Sequence, residues 1–413
     1  MVETEVQKER VILVGVSEQD GDDTKDSLEE LKELVATAGA VTEGMVIQNR
    51  ERIHPGTYVG TGKVSEIKEM LATTGATGIV CDDELSPAQM KNLEDLLDTK
   101  VMDRTLVILD IFAAHASTSE GKIQVELAQL RYSMTRLAGF GRSMSRLGGG
   151  IGTRGPGEKK LEMDKRIIRT RISQLKRELA EVKKHREVAR GQRMRNHVPV
   201  AAIVGYTNAG KSTLLNHLTH AGVLEEDKLF ATLDPTTRQL ELPGKQQILL
   251  TDTVGFIRKL PHHLIEAFKS TLEEAKYADF IIHVVDASNP QADKQMYIVY
   301  NTLRELDIRD KKIVTLFNKM DRSEADRELR DFRADHTARI SARNDRDLET
   351  VKELLAQVLR ENKTYMEHVF SYEDAGKIQV IRRQGELLSE EYTPEGIFVK
   401  AYIPAEVYDR LGI

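Results

Sequence analysis

Short apolar runs alternate with helical patterns over the first part of the chain. The apolar runs predict strands at residues 10–16, 41–48, 77–81 and 105–112, and helical spacing predicts helices near 25–38, 64–73 and 86–97. Strands that alternate with helices are typical of a parallel sheet covered by helices. We therefore expect a small α/β domain over residues 1–118.

From Ile123 the apolar positions follow a helical period. One series steps by three and four residues, at Leu127, Leu130, Met134 and Leu137. A second series keeps heptad spacing, at Leu161, Ile168, Ile172, Leu175, Leu179 and Val182. Heptad spacing predicts paired helices. We expect an antiparallel helical hairpin over residues 119–197, with a loop at residues 138–157.

Alternation of strands and helices resumes after residues 195–199. Strands are predicted at 200–204, 280–286, 312–318 and 338–341, with an edge hairpin over 239–250 that turns at Pro243-Gly244. This pattern assigns residues 198–363 to a second α/β domain. Predicted strands at 377–382 and 396–403, with a helix after Pro404, indicate a small α+β domain over residues 364–413. The pattern gives no function for that last domain.

Composition places the chain among globular proteins. It has 413 residues, of which 40% are hydrophobic and 31% charged, which excludes global disorder. Its one cysteine, Cys81, excludes an intramolecular disulfide or a zinc cluster. The apolar stretch at 105–116 contains Asp110 and is shorter than the roughly 20 residues that span a bilayer. We expect a cytoplasmic, monomeric protein without stable membrane insertion, and peripheral membrane attachment stays open.

The charges are segregated along the chain. Residues 131–197 hold 19 Lys or Arg against 6 Asp or Glu, a local net charge of +13, whereas the whole chain carries −6. The predicted loop at 138–157 contains eight glycines and Arg142, Arg146 and Arg154, without an acidic residue. A basic helix face can simply be solvated, but a mobile arginine-rich loop between stiff helices favours phosphate contacts to folded RNA. We expect an RNA partner and no DNA partner.

A glycine-rich segment predicts phosphate binding. Gly205-Tyr-Thr-Asn-Ala-Gly-Lys-Ser212 follows an apolar strand and opens a predicted helix at 213–221, the context of a P-loop. Its backbone N–H groups would surround the phosphates, Lys211 would neutralise the β- and γ-phosphate oxygens, and Ser212 would ligate Mg²⁺. By contrast, the segment at 59–64 has no Ser or Thr after Lys63, and we interpret it as a strand-to-helix turn.

A second motif places a carboxylate at the end of a strand. In Gln247-Ile-Leu-Leu-Thr-Asp-Thr-Val-Gly255, Asp252 follows the apolar residues and is a candidate magnesium ligand. Gly255 would offer its backbone N–H to the γ-phosphate and let the following segment move when that phosphate leaves. Phe256 stands where many small GTPases have a water-orienting Gln, and a phenyl ring cannot orient water. We therefore expect slow intrinsic hydrolysis that a partner stimulates.

A third motif predicts the base. In Asn318-Lys-Met-Asp321 the Asp321 carboxylate can accept hydrogen bonds from guanine N1–H and N2–H₂, which adenine cannot offer. Ser341 and Ala342 end the next strand and suit a backbone contact to guanine O6. We therefore favour GTP over ATP.

The segment between these motifs holds the remaining candidates. In Leu229-Phe-Ala-Thr-Leu-Asp-Pro-Thr-Thr-Arg238, Thr232 is the preferred magnesium- and γ-phosphate-sensing residue, with Thr236 and Thr237 as weaker choices. Asn208 is either a K⁺ ligand or a loop-shaping residue. We expect GTP or GDP to contact Gly205, Tyr206, Thr207, Asn208, Ala209, Gly210, Lys211, Ser212, Thr213, Phe230, Ala231, Thr232, Leu233, Asp234, Asp252, Thr253, Val254, Gly255, Asn318, Lys319, Met320, Asp321, Ser341, Ala342 and Arg343. Lys211, Thr232 and Gly255 are the candidate catalytic residues, and Ser212, Thr232 and Asp252 the candidate Mg²⁺ ligands.

Together the motifs resemble the HflX family of translation-factor-related GTPases. The resemblance rests on Gly148-Gly-Gly-Ile-Gly-Thr-Arg-Gly-Pro-Gly-Glu158 and on the nucleotide motifs above, including Leu260-Pro261 after Phe256. It implies an N-terminal HflX domain, a helical hairpin and a Ras-like G domain. It further implies binding to the large ribosomal subunit and its RNA, stimulation by that subunit, and rescue or splitting of stalled ribosomes under stress. ATP binding by the N-terminal domain, also linked to the family, has only weak support from residues 60–64.

Two other functions stay open at this point. One is a GTPase timer in the assembly of the large subunit. The other is an ATP-driven RNA remodeller, for which ATP turnover would survive Asp321→Asn.

Overall fold

The computed structural model describes residues 8–18, 23–145, 156–195, 198–219, 229–230, 235–261, 274–322, 329–361 and 363–412. The chain divides into two compact units. Unit 1 comprises Met1–Lys184, Asp227–Asp234 and Arg258–Lys269, and unit 2 comprises His185–Glu226, Pro235–Ile257 and Ser270–Ile413. Within the described residues, no helix has the length and apolar character needed to cross a bilayer.

Unit 1 contains a four-stranded parallel sheet with helices around it. Its first elements are β1 (Arg10–Ser17), α1 (Thr24–Thr37), β2 (Val41–Asn49), α2 (Thr61–Thr74), β3 (Gly78–Cys81), α3 (Pro87–Leu97), β4 (Lys100–Asp103) and α4 (Arg104–His115). The strand order is β2-β1-β3-β4. β1 and β3 are buried along nearly their whole length, which explains their continuous apolar sequence. The predicted parallel α/β domain is confirmed.

One predicted strand of unit 1 is wrong, because residues 105–112 belong to helix α4. Asp103 caps this helix by accepting a hydrogen bond from the Leu106 N–H at 2.9 Å. Most side chains of α4 are buried, so the helix has little amphipathic period and its sequence looks like that of a buried strand. The strand at this position is the preceding β4, which the apolar pattern did not indicate.

Two long helices follow in the chain, α5 (Ser119–Ser145) and α6 (Pro156–Arg195). Leu127, Ile172 and Leu175 form a buried seam between them, and Arg171 Nε lies 2.7 Å from Glu126 Oε1. The predicted helix pair is therefore confirmed. The predicted loop is wrong over 138–145, where α5 continues, and at 156–157, where α6 begins, since a helical glycine costs only about 1 kcal/mol relative to alanine. Arg146, Arg154 and the Arg142 side chain lie outside the described residues.

Unit 2 contains a six-stranded sheet with the order β10-β9-β8-β5-β7-β6, parallel except for the β6–β7 hairpin. Its elements are β5 (Val200–Gly205), α7 (Lys211–Thr219), β6 (Thr236–Leu242), β7 (Gln246–Asp252), β8 (Phe280–Asp286), α8 (Ala292–Glu305), β9 (Lys312–Asn318), β10 (His336–Arg339) and α9 (Asp345–Arg360). In such a sheet ligands bind at the carboxyl ends of the strands. The predicted hairpin turns as expected, through the short 3₁₀ segment Pro243–Lys245.

The last part of unit 2 is the C-terminal domain, a three-stranded antiparallel sheet with two helices. It consists of β11 (Lys363–Phe370), α10 (Ala375–Gln384), β12 (Glu386–Thr393), β13 (Gly396–Pro404) and α11 (Ala405–Leu411), with β13 in the centre. The α+β class, the strand at 396–403 and the helix after Pro404 are confirmed. The strand predicted at 377–382 is wrong, because Ile378 and Ile381 are buried at the three-residue spacing of helix α10. The division into four domains stays a prediction.

Candidate nucleotide-binding site

The P-loop joins the end of β5 to the start of α7. Asn208 and Gly210 both have left-handed backbone angles, with φ of 61° and 94°. A Cβ atom at Gly210 would overlap the side-chain amide of Asn318, so glycine is required there. The helix that begins at Lys211 directs the N–H groups of its first turn and the positive end of its dipole toward the loop, and both favour an anion.

Lys211 lies inside this loop. Its side chain is buried, and Nζ donates a hydrogen bond to the carbonyl oxygen of Tyr206 at 2.8 Å. Burial lowers the pKa of Lys211 to about 8, although the nearby Asp252 carboxylate opposes that shift. Phosphate oxygens beside the ammonium group would supply negative charge and so would stabilise its protonated form.

Ser212 and Asp252 form a pair of oxygen donors. The Ser212 hydroxyl donates to Asp252 Oδ2 at 2.7 Å, and Asp252 is fully buried at the end of β7. A carboxylate and a hydroxyl on rigid elements beside a phosphate loop are ligands that Mg²⁺ prefers. The donor set therefore fits this ion. Thr232, the other predicted ligand, lies outside the described residues.

The segment after Asp252 runs against the P-loop. The Phe256 N–H donates to the Gly205 carbonyl at 3.0 Å, and the Thr207 N–H donates to the Phe256 carbonyl at 2.8 Å. A Cβ atom at Gly255 would lie 2.9 Å from the Thr207 Cα atom as well as from Lys211 Nζ, and because the P-loop backbone cannot give way as a side chain can, glycine is required there. Phe256 is buried, which leaves its ring no route to orient a solvent water.

The other residues of this segment support its position. The Thr253 hydroxyl donates to the Ile203 carbonyl at 2.8 Å and ties the segment to strand β5. Val254 is buried beside it. Thr213 belongs to the first turn of α7.

Asn318 connects the three loops that would enclose the base. Its Nδ2 donates to the Ala209 carbonyl at 2.9 Å, and its Oδ1 accepts from the Ala342 N–H at 2.9 Å. Lys319 Nζ donates to the Asn208 carbonyl at 2.8 Å and pairs with Asp286 at 2.8 Å. The P-loop, the segment at 318–321 and the segment at 341–343 are thus held together around one buried amide.

Asp321 lies at the exposed side of this arrangement. A hydrogen bond from the Ser341 side chain lowers the pKa of Asp321, so the carboxylate is ionised and ready to accept hydrogen bonds. Ser341 is itself held through its N–H, which donates to Asp347 at 2.7 Å. The Met320 N–H donates to the Ile340 carbonyl at 3.2 Å, and Arg343 is exposed.

The structure does not bring every predicted residue to this place. Phe230 belongs to unit 1, where its ring meets that of Phe112 edge-on with centroids 4.6 Å apart. Ala231, Leu233 and Asp234 lie outside the described residues.

Two supporting carboxylates were missed from the sequence. Asp286 ends strand β8, a position that could have indicated it, whereas Asp347 lies within helix α9 and gives no such signal.

The fold and this site together define the class of P-loop GTPases. Family models match residues 25–113 ("GTP-binding GTPase N-terminal"), 115–193 ("GTP-binding GTPase Middle Region") and 200–319 ("50S ribosome-binding GTPase"). The chain is 67% identical to the GTPase HflX of Lacrimispora saccharolytica, over all of this chain and 97% of that protein. The chain belongs to the HflX family of GTPases.

One further relative and one solved structure are also similar to this chain. The GTPase HflX of Caldanaerobacter subterraneus subsp. tengcongensis is 46% identical over 98% of this chain and 93% of its own length. Among solved structures, a GTP-binding protein from Sulfolobus solfataricus in complex with GDP is 25% identical with a TM-score of 0.45, over 84% of this chain and 98% of that one.

Proposed function

We propose that this GTPase binds the large ribosomal subunit through its ribosomal RNA and splits or rescues stalled ribosomes in the cytoplasm. Family membership supports GTP hydrolysis, and the description of the matched G-domain model names the 50S subunit. The observation that carries the RNA contact is a basic stripe on helix α6.

The basic stripe consists of Arg166, Arg169 and Arg177, which lie on the face of α6 that also carries Glu162, Thr170, Ser173 and Gln174. The three arginines are exposed and follow each other at steps of three and eight residues, so they share one helix face. At 1.5 Å per residue they span about 16 Å, a length that reaches several phosphates of an RNA strand. Guanidinium groups bind phosphates by paired hydrogen bonds without reading the base.

The nucleotide roles follow from the site. Lys211 would exchange the Tyr206 carbonyl for phosphate oxygens, and Gly255 would turn its N–H toward the γ-phosphate. Ser212 and Asp252, with Thr232, would hold Mg²⁺, which when bound would neutralise negative charge on the phosphates. Asp321 would accept hydrogen bonds from guanine while Ala342 offers its backbone to O6.

Partner stimulation is the expected consequence of Phe256. Since its ring is buried, the residue that orients the attacking water must come from another segment or from the bound subunit.

Asn208 would coordinate a K⁺ ion beside the phosphates. A comparison of GTP turnover in KCl and in NaCl tests this role.

The experiment that tests the proposal measures GTP turnover with and without purified large subunits. Arg166, Arg169 and Arg177 are replaced together by Glu. A control variant carries Lys276→Glu, Arg309→Glu and Arg383→Glu, three exposed positions outside the stripe with the same change in charge. We expect stimulation in the wild type and the control, and its loss in the stripe variant. Equal stimulation in all three would contradict RNA binding through α6. The Arg142, Arg146 and Arg154 triple variant extends the test to the end of α5 and the segment that follows it.

Ribosome splitting has its own test. Intact ribosomes are sedimented after incubation with the protein and a non-hydrolysable GTP analogue, and we expect an increase in free subunits. No increase would remove splitting and leave the role of a timer in large-subunit assembly.

A further inference from the structure

The β6–β7 hairpin connects the nucleotide site to the C-terminal domain. At one end Thr236 pairs with Asp252, the carboxylate that accepts the Ser212 hydrogen bond. At the other end the turn Pro243–Lys245 meets strand β12. The two strands pair without a register shift from Thr236 and Asp252 to Leu242 and Gln246. The hairpin is therefore a continuous element that reaches from the nucleotide site to the C-terminal domain.

The turn rests on a buried carboxylate. Gly244 has a φ of 78°, and a Cβ atom there would lie 2.8 Å from Glu386 Cγ and 3.0 Å from Oε1. Glu386 is fully buried, and its carboxylate accepts two hydrogen bonds from the Arg360 guanidinium, one of them at 2.6 Å from Nε. The Arg360 side chain is partly exposed, but the buried Glu386 carboxylate would lose its charged partner if the pair were broken, which is costly in a low-dielectric site.

A second contact holds the first residue of β7. Lys363 Nζ donates to Gln246 Oε1, and Gln246 is buried. Burial lowers the pKa of Lys363 to about 8, with the Glu386 carboxylate opposing the shift. Lys363 is the first residue of β11 and Glu386 the first residue of β12. The C-terminal domain therefore contacts the turn and the start of β7 through two of its strands.

We propose that Glu386 and Lys363 are positioning residues for GTP hydrolysis, which act through the hairpin. By fixing the turn against Gly244 and Gln246, they hold β6 and β7 in the position that aligns Asp252 with Ser212. The C-terminal domain then has a defined role, because it keeps the magnesium carboxylate in place from the far end of the hairpin.

The test replaces contacts on both sides of the turn. Glu386→Gln removes the charge that Arg360 needs, and Gly244→Ala inserts a methyl group between the turn and Glu386. We expect each variant to lower kcat and to raise the Mg²⁺ concentration for half-maximal turnover by about 3- to 10-fold. GDP affinity measured without Mg²⁺ stays within about twofold, since the P-loop and the guanine loops are unchanged. Because both changes act on one contact, the double variant shows less than the product of the two effects.

The control variant is Glu390→Gln on the same strand, whose carboxylate pairs with Arg382 of the C-terminal domain itself. It keeps wild-type kcat and Mg²⁺ dependence. If Glu386→Gln fails to fold, Gly244→Ala and Lys363→Met test the proposal instead, because both keep the Glu386 carboxylate and the Arg360 guanidinium. Wild-type Mg²⁺ dependence in the folded variants would overturn the proposal, as would an equal change in the control.

Discussion

At the residue scale, the nucleotide motifs were predictable because they are short and their spacing carries their chemistry. Gly210, Lys211 and Asn318 lie together as the alternation of strands and helices indicated. Of the partners that hold them, Asp286 could have been found from its position at the end of β8, whereas Asp347 is one of many acidic residues on a helix and gave no signal. Their roles depend on which loops the sheet brings together.

Asp321→Asn tests base recognition. An amide in place of the carboxylate offers a donor to guanine N2–H₂, so the two groups repel and one hydrogen bond is lost. We expect GDP affinity to fall by about 10²-fold or more. Xanthosine diphosphate, whose 2-oxo group accepts from an amide, should bind the variant better than GDP does, in titration calorimetry. The control is Asp345→Asn, an exposed acid in the first turn of α9. Unchanged GDP affinity in Asp321→Asn would contradict guanine recognition by this carboxylate.

The lowered pKa of Lys211 predicts a pH dependence. The ammonium has a pKa of about 8 in the free protein, and bound phosphates raise it. The complex therefore binds more protons than the free protein above that pH, and affinity falls as the pH rises. We expect GDP to bind about fourfold more weakly at pH 8.5 than at pH 7. Guanosine, which lacks phosphates, is the control and should show no such trend. An affinity for GDP that stays constant over this range would contradict the assignment.

At the element scale, amphipathic and heptad patterns identified elements with one buried face, and they failed where burial was complete or local. Helix α4 lacks a polar face, so its apolar run gave no helical period. In α10 the apolar positions Ile378 and Val380 imitate strand alternation, although Ile381 is the residue buried with Ile378. The strands β11 and β12 beside it carry many polar residues on the open face and were missed.

Leu175→Ala tests the seam of the helix pair. Leu175 is 1% exposed, and its truncation leaves a cavity between α5 and α6. We expect the free energy of local opening of these helices to fall by about 2–4 kcal/mol, as measured by hydrogen exchange. Met163→Ala on the same helix is the control, since Met163 is 65% exposed. Wild-type protection in the Leu175 variant would show that the seam does not hold the pair together.

At the scale of the whole molecule, the segregation of charge along the sequence indicated an RNA partner, but it did not indicate which residues would contact the RNA. The net charge of −6 hides a basic hairpin, and the structure places three of its arginines, Arg166, Arg169 and Arg177, on one face of α6. The seam at Leu127, Ile172 and Leu175 turns one side of α6 toward α5. The arginines lie on the opposite side of α6, which faces solvent.

Phosphate contacts predict a salt dependence of subunit binding. Each arginine that binds a phosphate releases counterions, so replacing Arg166, Arg169 and Arg177 by Gln should reduce the slope of log K against log salt by about three. Filter binding or pelleting at several KCl concentrations measures the slope. The Lys276, Arg309 and Arg383 positions, replaced by Gln, serve as control. An unchanged slope in the α6 variant would place the RNA contact elsewhere.

The central claim is that a guanine nucleotide site controls whether the basic hairpin engages ribosomal RNA. Its most direct test is the affinity of the protein for purified large subunits, measured with a non-hydrolysable GTP analogue and with GDP. We expect at least about tenfold tighter binding with the analogue, loss of this difference in Asp321→Asn, and weak binding in both states for the α6 variant. Equal affinity of the wild-type protein with the two nucleotides would contradict the claim.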